Sequence, residues 1–380
     1  MNMSQVQFTS SLTSHPPSVC SRPCALNEAR RQLEGDSCCW TCVPCSTYEY
    51  LPTPFECILC PLGSRSADDL LSCAPIPEEF LRYDNPASVV SASLAGLGIL
   101  FTVYIIGLFI RHHGTPVVRA SGRELTFVLL CGILICYAMT FVILAPPSDI
   151  VCAIQQFGVG FSFCVCYSAL LVKTNRISRI FSAGRRTIRQ PRFISPQSQL
   201  VICAMIVAIQ AVVSFVWIVV SPPSAVHYHP SRDDNQVVCV AAVRSSNVVG
   251  LVYPFLLVVV CTVYAVKTRN IPEAFNESRH IGFTMYTTCI IWLAFIPIYL
   301  STSNNIAVRL VTMSFSVSLS ATVTLVCLFA PKLDIILLHP ERNVRQSMMT
   351  AKSATPISVN QLSTVRVESG ETDTDGKNLN

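Results

Sequence analysis

Cys42-x2-Cys45-x11-Cys57-x2-Cys60 has the spacing of a four-cysteine zinc site, in which thiolates close a tetrahedron around the ion. The same sulfurs can instead pair as disulfides, and their neighbourhood decides between the two. Five more cysteines, Cys20, Cys24, Cys38, Cys39 and Cys73, share the stretch and have no place in one tetrahedral site. Nine cysteines between Cys20 and Cys73, roughly one residue in six, far exceed the ~8–10% that marks a disulfide scaffold. The stretch also has too few apolar residues to build a core without covalent staples. It is read as a disulfide module in an oxidising compartment, with no metal and no cofactor. Nine is odd, so four bridges leave one sulfur for an intermolecular or interdomain bond.

Elsewhere the chain offers little for catalysis. It has no phosphate loop, metal motif or nucleophile elbow, and no enzyme is expected. What remains is a small set of charges and aromatics in apolar surroundings. Lys173 and Glu277 each border a long apolar run. Opposite charges there can pair as a switch between two helices, although two snorkelling interfacial charges is the plainer reading of the residues alone. Trp292, Phe295 and Tyr299 fall at i, i+3 and i+7, and Met313, Ser316 and Ser320 repeat that spacing. Each set lies on one helix face, where ordinary packing is the commoner role.

The elements that hold these residues follow from hydropathy. Hydrophobic residues make up 51% of the 380 and charged residues 13%, mean hydropathy is +0.50, and the formal net charge is +5. So little charge leaves no basic face for nucleic acid. Seven runs free of Asp, Glu, Lys and Arg are long enough to cross a hydrocarbon core of ~20 helical residues. They predict helices over about 86–110, 125–146, 151–172, 199–221, 246–266, 281–300 and 307–330. Alternate loops carry 13 and three basic residues, the three being Arg232, Arg244 and Arg309. The richer side is expected to be cytoplasmic, which puts the N-terminus outside, where the cysteines require an oxidising space. The fold class expected is a membrane all-α, seven-helix transmembrane bundle (86–338). A small disulfide-rich extracellular β-type domain (20–80) precedes it, and a disordered cytoplasmic tail (339–380) follows. Residues 1–19 carry no basic or apolar signal segment and are read as the disordered remnant of a chain that begins further upstream. Charge-free windows without an internal repeat argue against a transporter or channel.

Several segments then carry a resemblance. Cys38-Cys-Trp-Thr-Cys-Val-Pro-Cys45 and Thr115-Pro-Val-Val-Arg-Ala-Ser-Gly-Arg-Glu124 are two of them. Others are Tyr167-Ser-Ala-Leu-Leu-Val-Lys-Thr-Asn-Arg176, Phe193-Ile-Ser-Pro196 and Cys261-Thr-Val-Tyr-Ala-Val-Lys-Thr-Arg269. The run from Pro272 through Ile281-Gly-Phe-Thr-Met-Tyr-Thr-Thr-Cys-Ile-Ile-Trp-Leu-Ala-Phe295 is highly specific, and Pro340-Glu-Arg-Asn-Val344 follows the last helix. Together these resemble a class C G-protein-coupled receptor of the metabotropic glutamate family, from about Cys20 to Val344. In that family a bilobed amino-acid-binding domain precedes the cysteines, whereas 19 residues do so here. The chain is therefore expected to lack the agonist site, as a truncation or a naturally headless form.

The resemblance implies the remaining assignments. The disulfides would be Cys20–Cys39, Cys24–Cys42, Cys45–Cys57, Cys60–Cys73 and Cys152–Cys239, with Cys38 bonded to the missing domain. Lys173 and Glu277, with Ser121 nearby, would form an activation lock. Tyr167, Trp292, Phe295, Tyr299, Met313, Ser316 and Ser320 would line an intramembrane pocket for allosteric modulators. Arg176, Arg179, Arg185, Arg186, Arg192, Lys267 and Arg269 would meet a heterotrimeric G protein, Gi/o by preference, although a basic loop also suits anionic membrane lipid. The implied setting is the plasma membrane, as a homo- or heterodimer with class C receptors, with glutamate acting only through the upstream domain. A headless form would instead pair with full-length receptors and modulate them. Cys131, Cys136, Cys164, Cys166, Cys203, Cys261, Cys289 and Cys327 are read as small buried hydrophobes.

Overall fold

The computed structural model describes residues 20–186, 195–243, 246–268, 276–302 and 305–339. The expected N-terminal remnant and nearly all of the expected tail lie outside these residues. Six strands open the chain: β1 (Glu28–Leu33), β2 (Asp36–Pro44), β3 (Glu49–Thr53), β4 (Glu56–Leu59), β5 (Ser64–Ser66) and β6 (Cys73–Pro75). They pair as three successive antiparallel ladders, β1–β2, β3–β4 and β5–β6. A two-stranded ladder alone is marginal in water. Among the described residues of this stretch, Ala29 and Cys60 are the buried hydrophobic ones, so covalent bonds must replace a core. Cys20–Cys39 and Cys24–Cys42 tie the leading segment to β2, Cys45–Cys57 reaches β4, and Cys60–Cys73 reaches β6. A closed loop of ~15 residues is worth about 3 kcal/mol on the chain-entropy account, and these four bridges span 12 to 19. The four cysteines with zinc-like spacing are thus divided among three bridges. Cys38 lies on β2, with its side chain outside the description.

The bundle follows as α1 (Pro86–Arg111), a short α2 (Pro116–Ala120), α3 (Arg123–Leu144), α4 (Asp149–Arg186) and α5 (Pro196–Val220). A hairpin of β7 (Ala225–Tyr228) and β8 (Gln236–Cys239) comes next, then a short α6 (Val240–Val243), α7 (Val252–Thr268), α8 (Asn276–Ser301) and α9 (Ile306–Leu333). A 3-10 turn, Ser246–Leu251, leads into α7, and a π turn, Asp334–Leu338, ends α9. All of these helices except α2 and α6 are long and apolar enough to cross a membrane, and the chain is a multi-pass membrane protein. Their starts are encoded locally. Asn85 caps α1 ahead of Pro86, Ser195 caps α5 ahead of Pro196, and Asn305 caps α9.

α4 is the axis of the bundle: 67% of its spanning window is buried, against 22% for α1 and 17% for α5. α3 packs closely on it because Gly132 has no side chain. A Cβ there would stand 2.8 Å from Cys166 Sγ and 3.1 Å from the Cys166 nitrogen. α1 and α5 instead turn Leu97, Leu100, Met205, Val212 and Val219 outward, as lipid-facing helices do.

Three details depart from the sequence reading. The third spanning helix does not stop near 172 but runs on to Arg186. A run of charge ends a hydrocarbon span without ending a helix, and Lys173, Thr174 and Ile177 are still buried against neighbours. Arg309, counted among the loop charges although the expected seventh helix begins at 307, belongs to the helix. It sits one turn inside α9 and is 2% exposed, because Asn305 starts the helix ahead of it. Cys131 is exposed on the outer face of α3, unlike the buried Cys136, Cys164, Cys166, Cys203 and Cys261.

Candidate functional site

At the end of the bundle remote from the disulfides, four segments meet on one lysine. Lys173 of α4 donates from Nζ to the Ser121 carbonyl (3.0 Å), to Thr126 Oγ1 (2.9 Å) and to Glu277 Oε1 (3.1 Å). An ammonium has three protons, so all of its capacity is used. Ser121 ends the α2 turn, and the next residue, Gly122, has φ +70°, a left-handed conformation that favours glycine. Thr126 is one turn into α3, and Glu277 lies in the first turn of α8. Lys332, near the end of α9, donates to the same Glu277 Oε1 at 2.6 Å and lies over the Phe329 ring at 5.5 Å. The three charged side chains are 6%, 18% and 12% exposed for Lys173, Glu277 and Lys332. One carboxylate therefore holds two ammonium groups in a largely dry cluster.

The structure brings Lys173, Glu277 and Ser121 together, but Ser121 takes part through its backbone carbonyl. Its hydroxyl donates to the Val118 carbonyl at 3.2 Å. Thr126 and Lys332 were missed by the sequence reading. Lys332 had a signal: it follows Pro331 at the end of the seventh apolar run, where it passes for a boundary charge. Thr126 had none, being one hydroxyl in an apolar helix.

Higher in the bundle, aromatic rings gather around Trp292. Phe163, Phe255 and Phe295 meet its ring edge to face, with centroids 4.9, 4.8 and 5.1 Å away. Its indole N–H donates to the Tyr167 hydroxyl at 3.3 Å. Phe295 passes the contact on to Tyr299 at 5.2 Å, and Arg309 lies over the Tyr299 ring at 4.7 Å. Met313 belongs to the same buried cluster, and Ser316 and Ser320 are buried on α9. Among the described residues, the Ser320 hydroxyl has no hydrogen-bond partner. Phe255 and Arg309 were not anticipated here. None of the seven expected pocket residues lines the cavity of about 400 Å³ found at the disulfide end of the bundle, whose walls include Glu79, Arg82, Gln155, Val238, Ile306 and Leu310.

The β7–β8 hairpin joins the two halves of the molecule. Tyr48 of the disulfide module donates its hydroxyl to Asp233, whose carboxylate pushes the phenol pKa up. Arg232 lies over the Tyr48 ring at 5.7 Å. Asn235 donates from Nδ2 to the Ile76 carbonyl (2.9 Å), and its own carbonyl accepts from the Glu79 N–H (2.9 Å). On the bundle side, Cys152 and Cys239 are bonded, and Asp149 accepts from the Ala225 N–H at 2.8 Å.

Of the expected G-protein contacts, Arg179 and Lys267 are exposed and Arg176 is half-buried at the same end as Lys173. Arg176 lines a recess of about 310 Å³ with Arg119, Arg123 and Glu124. Arg185 and Arg186 lie on α4 with side chains outside the description, and Arg192 and Arg269 lie outside the described residues.

The family model described as "7 transmembrane sweet-taste receptor of 3 GCPR" matches residues 81–332, and "Nine Cysteines Domain of family 3 GPCR" matches residues 15–66. Among individual proteins, "Metabotropic glutamate receptor" of Drosophila melanogaster is 45% identical over 340 residues, 89% of this chain and 34% of that protein. "Metabotropic glutamate receptor 8" of Mus musculus is 42% identical over 362 residues, covering 93% of this chain and 40% of its own. The Homo sapiens protein of the same name is 42% identical over 363 residues. The chain spans about a third to two-fifths of the length of these curated relatives. With a seven-helix bundle, a disulfide-stapled strand module and these matches in hand, the chain belongs to the class C G-protein-coupled receptors, in the metabotropic glutamate receptor family, a family of receptors and not of enzymes.

Proposed function

We propose that this chain transmits amino-acid binding, glutamate in particular, from outside the cell to a heterotrimeric G protein of the Gi/o type at the plasma membrane. The disulfide module would face outward and the basic loops inward. Moving Arg309 into α9 only widens the loop-charge asymmetry that supports this orientation. In a receptor as long as its relatives, agonist binding would move the disulfide modules of a dimer. Stapled ladders pass on such movement instead of absorbing it.

The geometry supplies a route. The module bonds to the hairpin, and the hairpin is bonded by Cys239 to Cys152 at the outer end of α4. The same helix carries Lys173, 21 residues further on, or about 30 Å at the helical rise. The observation that carries the reading is the Lys173–Glu277–Lys332 cluster. It pins α2, α3, α4, α8 and α9 together through groups that water can re-solvate once the helices part. Release of α8 would open the inner face to the G protein, with Arg176, Arg179 and Lys267 among its contacts. The Trp292 cluster would serve as the modulator pocket, with Ser320, whose hydroxyl has no partner among the described residues, available to a small apolar ligand.

The test is Glu277→Ala. Basal Gi/o nucleotide exchange should rise several-fold in membranes with matched surface expression. Unchanged basal exchange would remove the lock from the mechanism.

A further inference from the structure

The cavity of about 400 Å³ at the disulfide end of the bundle belongs to neither the charge cluster nor the aromatic one. Its size falls in the ~300–1,000 Å³ range of small-molecule sites. It opens where two spanning helices fall short. α3 ends at Leu144, because Ala145 precedes Pro146 and is extended, at ψ 151°. α9 begins only at Ile306. The segment 79–85, which leads from the disulfide module into α1, supplies another wall. It is held to the hairpin by two backbone hydrogen bonds of 2.9 Å, from the Glu79 N–H to the Asn235 carbonyl and from the Val237 N–H to the Glu79 carbonyl.

The lining is chemically lopsided. Ile143, Val238, Ile306 and Leu310 give it an apolar floor. Gln155, in the second turn of α4, also lines it and is 7% exposed. Its Nε2 donates to the Val142 carbonyl at 2.9 Å, which fixes the donor end of the amide. Oε1 accepts no hydrogen bond among the described residues, so a buried acceptor is left for a donor inside the cavity. Glu79 and Asp84 add two carboxylates at the exposed rim, and neither is in an ion pair among the described residues. Arg82 is the one basic residue of the lining, and its guanidinium lies over the Phe80 ring at 5.9 Å.

We propose that this cavity binds a small organic ammonium ion with an apolar body. The ammonium donates to Gln155 Oε1 with the two carboxylates near it, and the body lies on the apolar floor. Water can serve Gln155 but gains nothing from that floor, and an organic anion would face Glu79 and Asp84. Glu79 and Asp84 belong to the segment entering α1, and Gln155 to the central helix α4. An occupied cavity therefore ties the exit of the disulfide module to the axis of the bundle.

The test is equilibrium dialysis of three matched probes, phenethylamine, 2-phenylethanol and phenylacetate, against the purified full chain in detergent, with empty micelles as the blank. The amine should bind saturably and about tenfold tighter than the alcohol, and phenylacetate should bind weakest. Gln155→Leu should weaken the amine about tenfold, the effect of one hydrogen bond to a charged group, and leave the alcohol nearly unchanged. Glu79→Gln with Asp84→Asn, both at exposed positions that folding tolerates, should weaken the amine a few-fold. Ala307→Trp fills the cavity from the half-buried face of α9 and should abolish binding, with thermal unfolding as the check that the variant is intact. Absence of saturable binding, equal binding of amine and alcohol, tighter binding of phenylacetate, or amine binding untouched by Ala307→Trp in the folded protein would each overturn the proposal. Because the readout is binding, a chain that fails to signal leaves the result intact.

Discussion

Glu277→Gln should raise basal activity, and adding Lys332→Met to it should lower that activity again. The reason is the shared oxygen. With Lys173 Nζ at 3.1 Å and Lys332 Nζ at 2.6 Å from the same Oε1, the two ammonium nitrogens lie within about 6 Å of each other. At an effective dielectric constant of about 20, unit charges that close repel by about 3 kcal/mol. In the parent protein Glu277 offsets that repulsion, and in Glu277→Gln nothing does. Lys173 keeps the Ser121 carbonyl and Thr126, whereas Lys332 loses its carboxylate partner. If half of the repulsion is relieved only when the helices separate, the resting state loses about 1.4 kcal/mol and the resting-to-active ratio falls about tenfold. Lys332→Met removes one of the two cations and most of that drive. The assay is basal nucleotide exchange on a Gi/o protein in membranes, for the parent, both single variants and the double variant at equal surface expression. The double variant should lie well below Glu277→Gln, giving a coupling term of the size seen for contacting charges. Additive effects, or a double variant more active than Glu277→Gln, would refute the electrostatic account.

Three further outcomes follow from the junction and the core. Cys152→Ser with Cys239→Ser opens an 87-residue loop, worth about 4.5 kcal/mol on the chain-entropy account; thermal unfolding of the purified protein should shift down by several degrees, and no shift would mean that the hairpin is held by its other bonds. Tyr48→Phe removes the hydroxyl bonded to Asp233 and keeps the ring under Arg232, so hydrogen exchange across β7–β8 should speed up by a few-fold, the value of one hydrogen bond of about 1 kcal/mol, while exchange in α4 stays unchanged. Gly132→Val places a branched side chain against Cys166 and should reduce surface expression sharply, whereas Leu97→Val on the lipid-facing side of α1 should not.

The parts of this molecule that are legible in its sequence are those with a local physical signature. Only helices and closed barrels satisfy a backbone in hydrocarbon, and seven apolar runs of about 20 residues or more fit helices, a spanning strand needing about half that; a cysteine-dense stretch without a core must be stapled. Helix ends are less legible. The sequence marks where the membrane stops, at Lys173, but α4 continues to Arg186 because helix termination needs a cap or a breaker, which 173–180 does not contain. The hairpin is written in the alternation Ala225-Val-His-Tyr228, in the polar turn Pro230-Ser-Arg-Asp-Asp-Asn235 and in Gln236-Val-Val-Cys239, yet the reading passed over it as an outer loop. Its partner could not be read at all. The bond from Tyr48 to Asp233 spans 185 residues, and neither residue carries a local mark of the other.

The charge cluster shows the same limit at finer grain. From the residues alone, Lys173 and Glu277 looked more like two interfacial charges than a pair, and the family resemblance alone argued otherwise. Even then the resemblance pointed to two charges and a serine, where the structure has three charges, a carbonyl and a threonine. A carbonyl is invisible to any reading of side-chain types, and Lys332 is visible only as a boundary charge at the end of an apolar run. Net charge is the feature that changes the argument. A lysine paired with a glutamate is neutral, and drying it strengthens the attraction at the cost of desolvating two ions. Two lysines on one glutamate carry a net positive charge in a site that is barely hydrated, so drying raises the tension as well as the attraction. Such a cluster joins its helices through four hydrogen bonds and still carries one uncompensated charge that water would re-solvate once the helices part, which fits the proposed role of a contact that breaks when a distant segment moves.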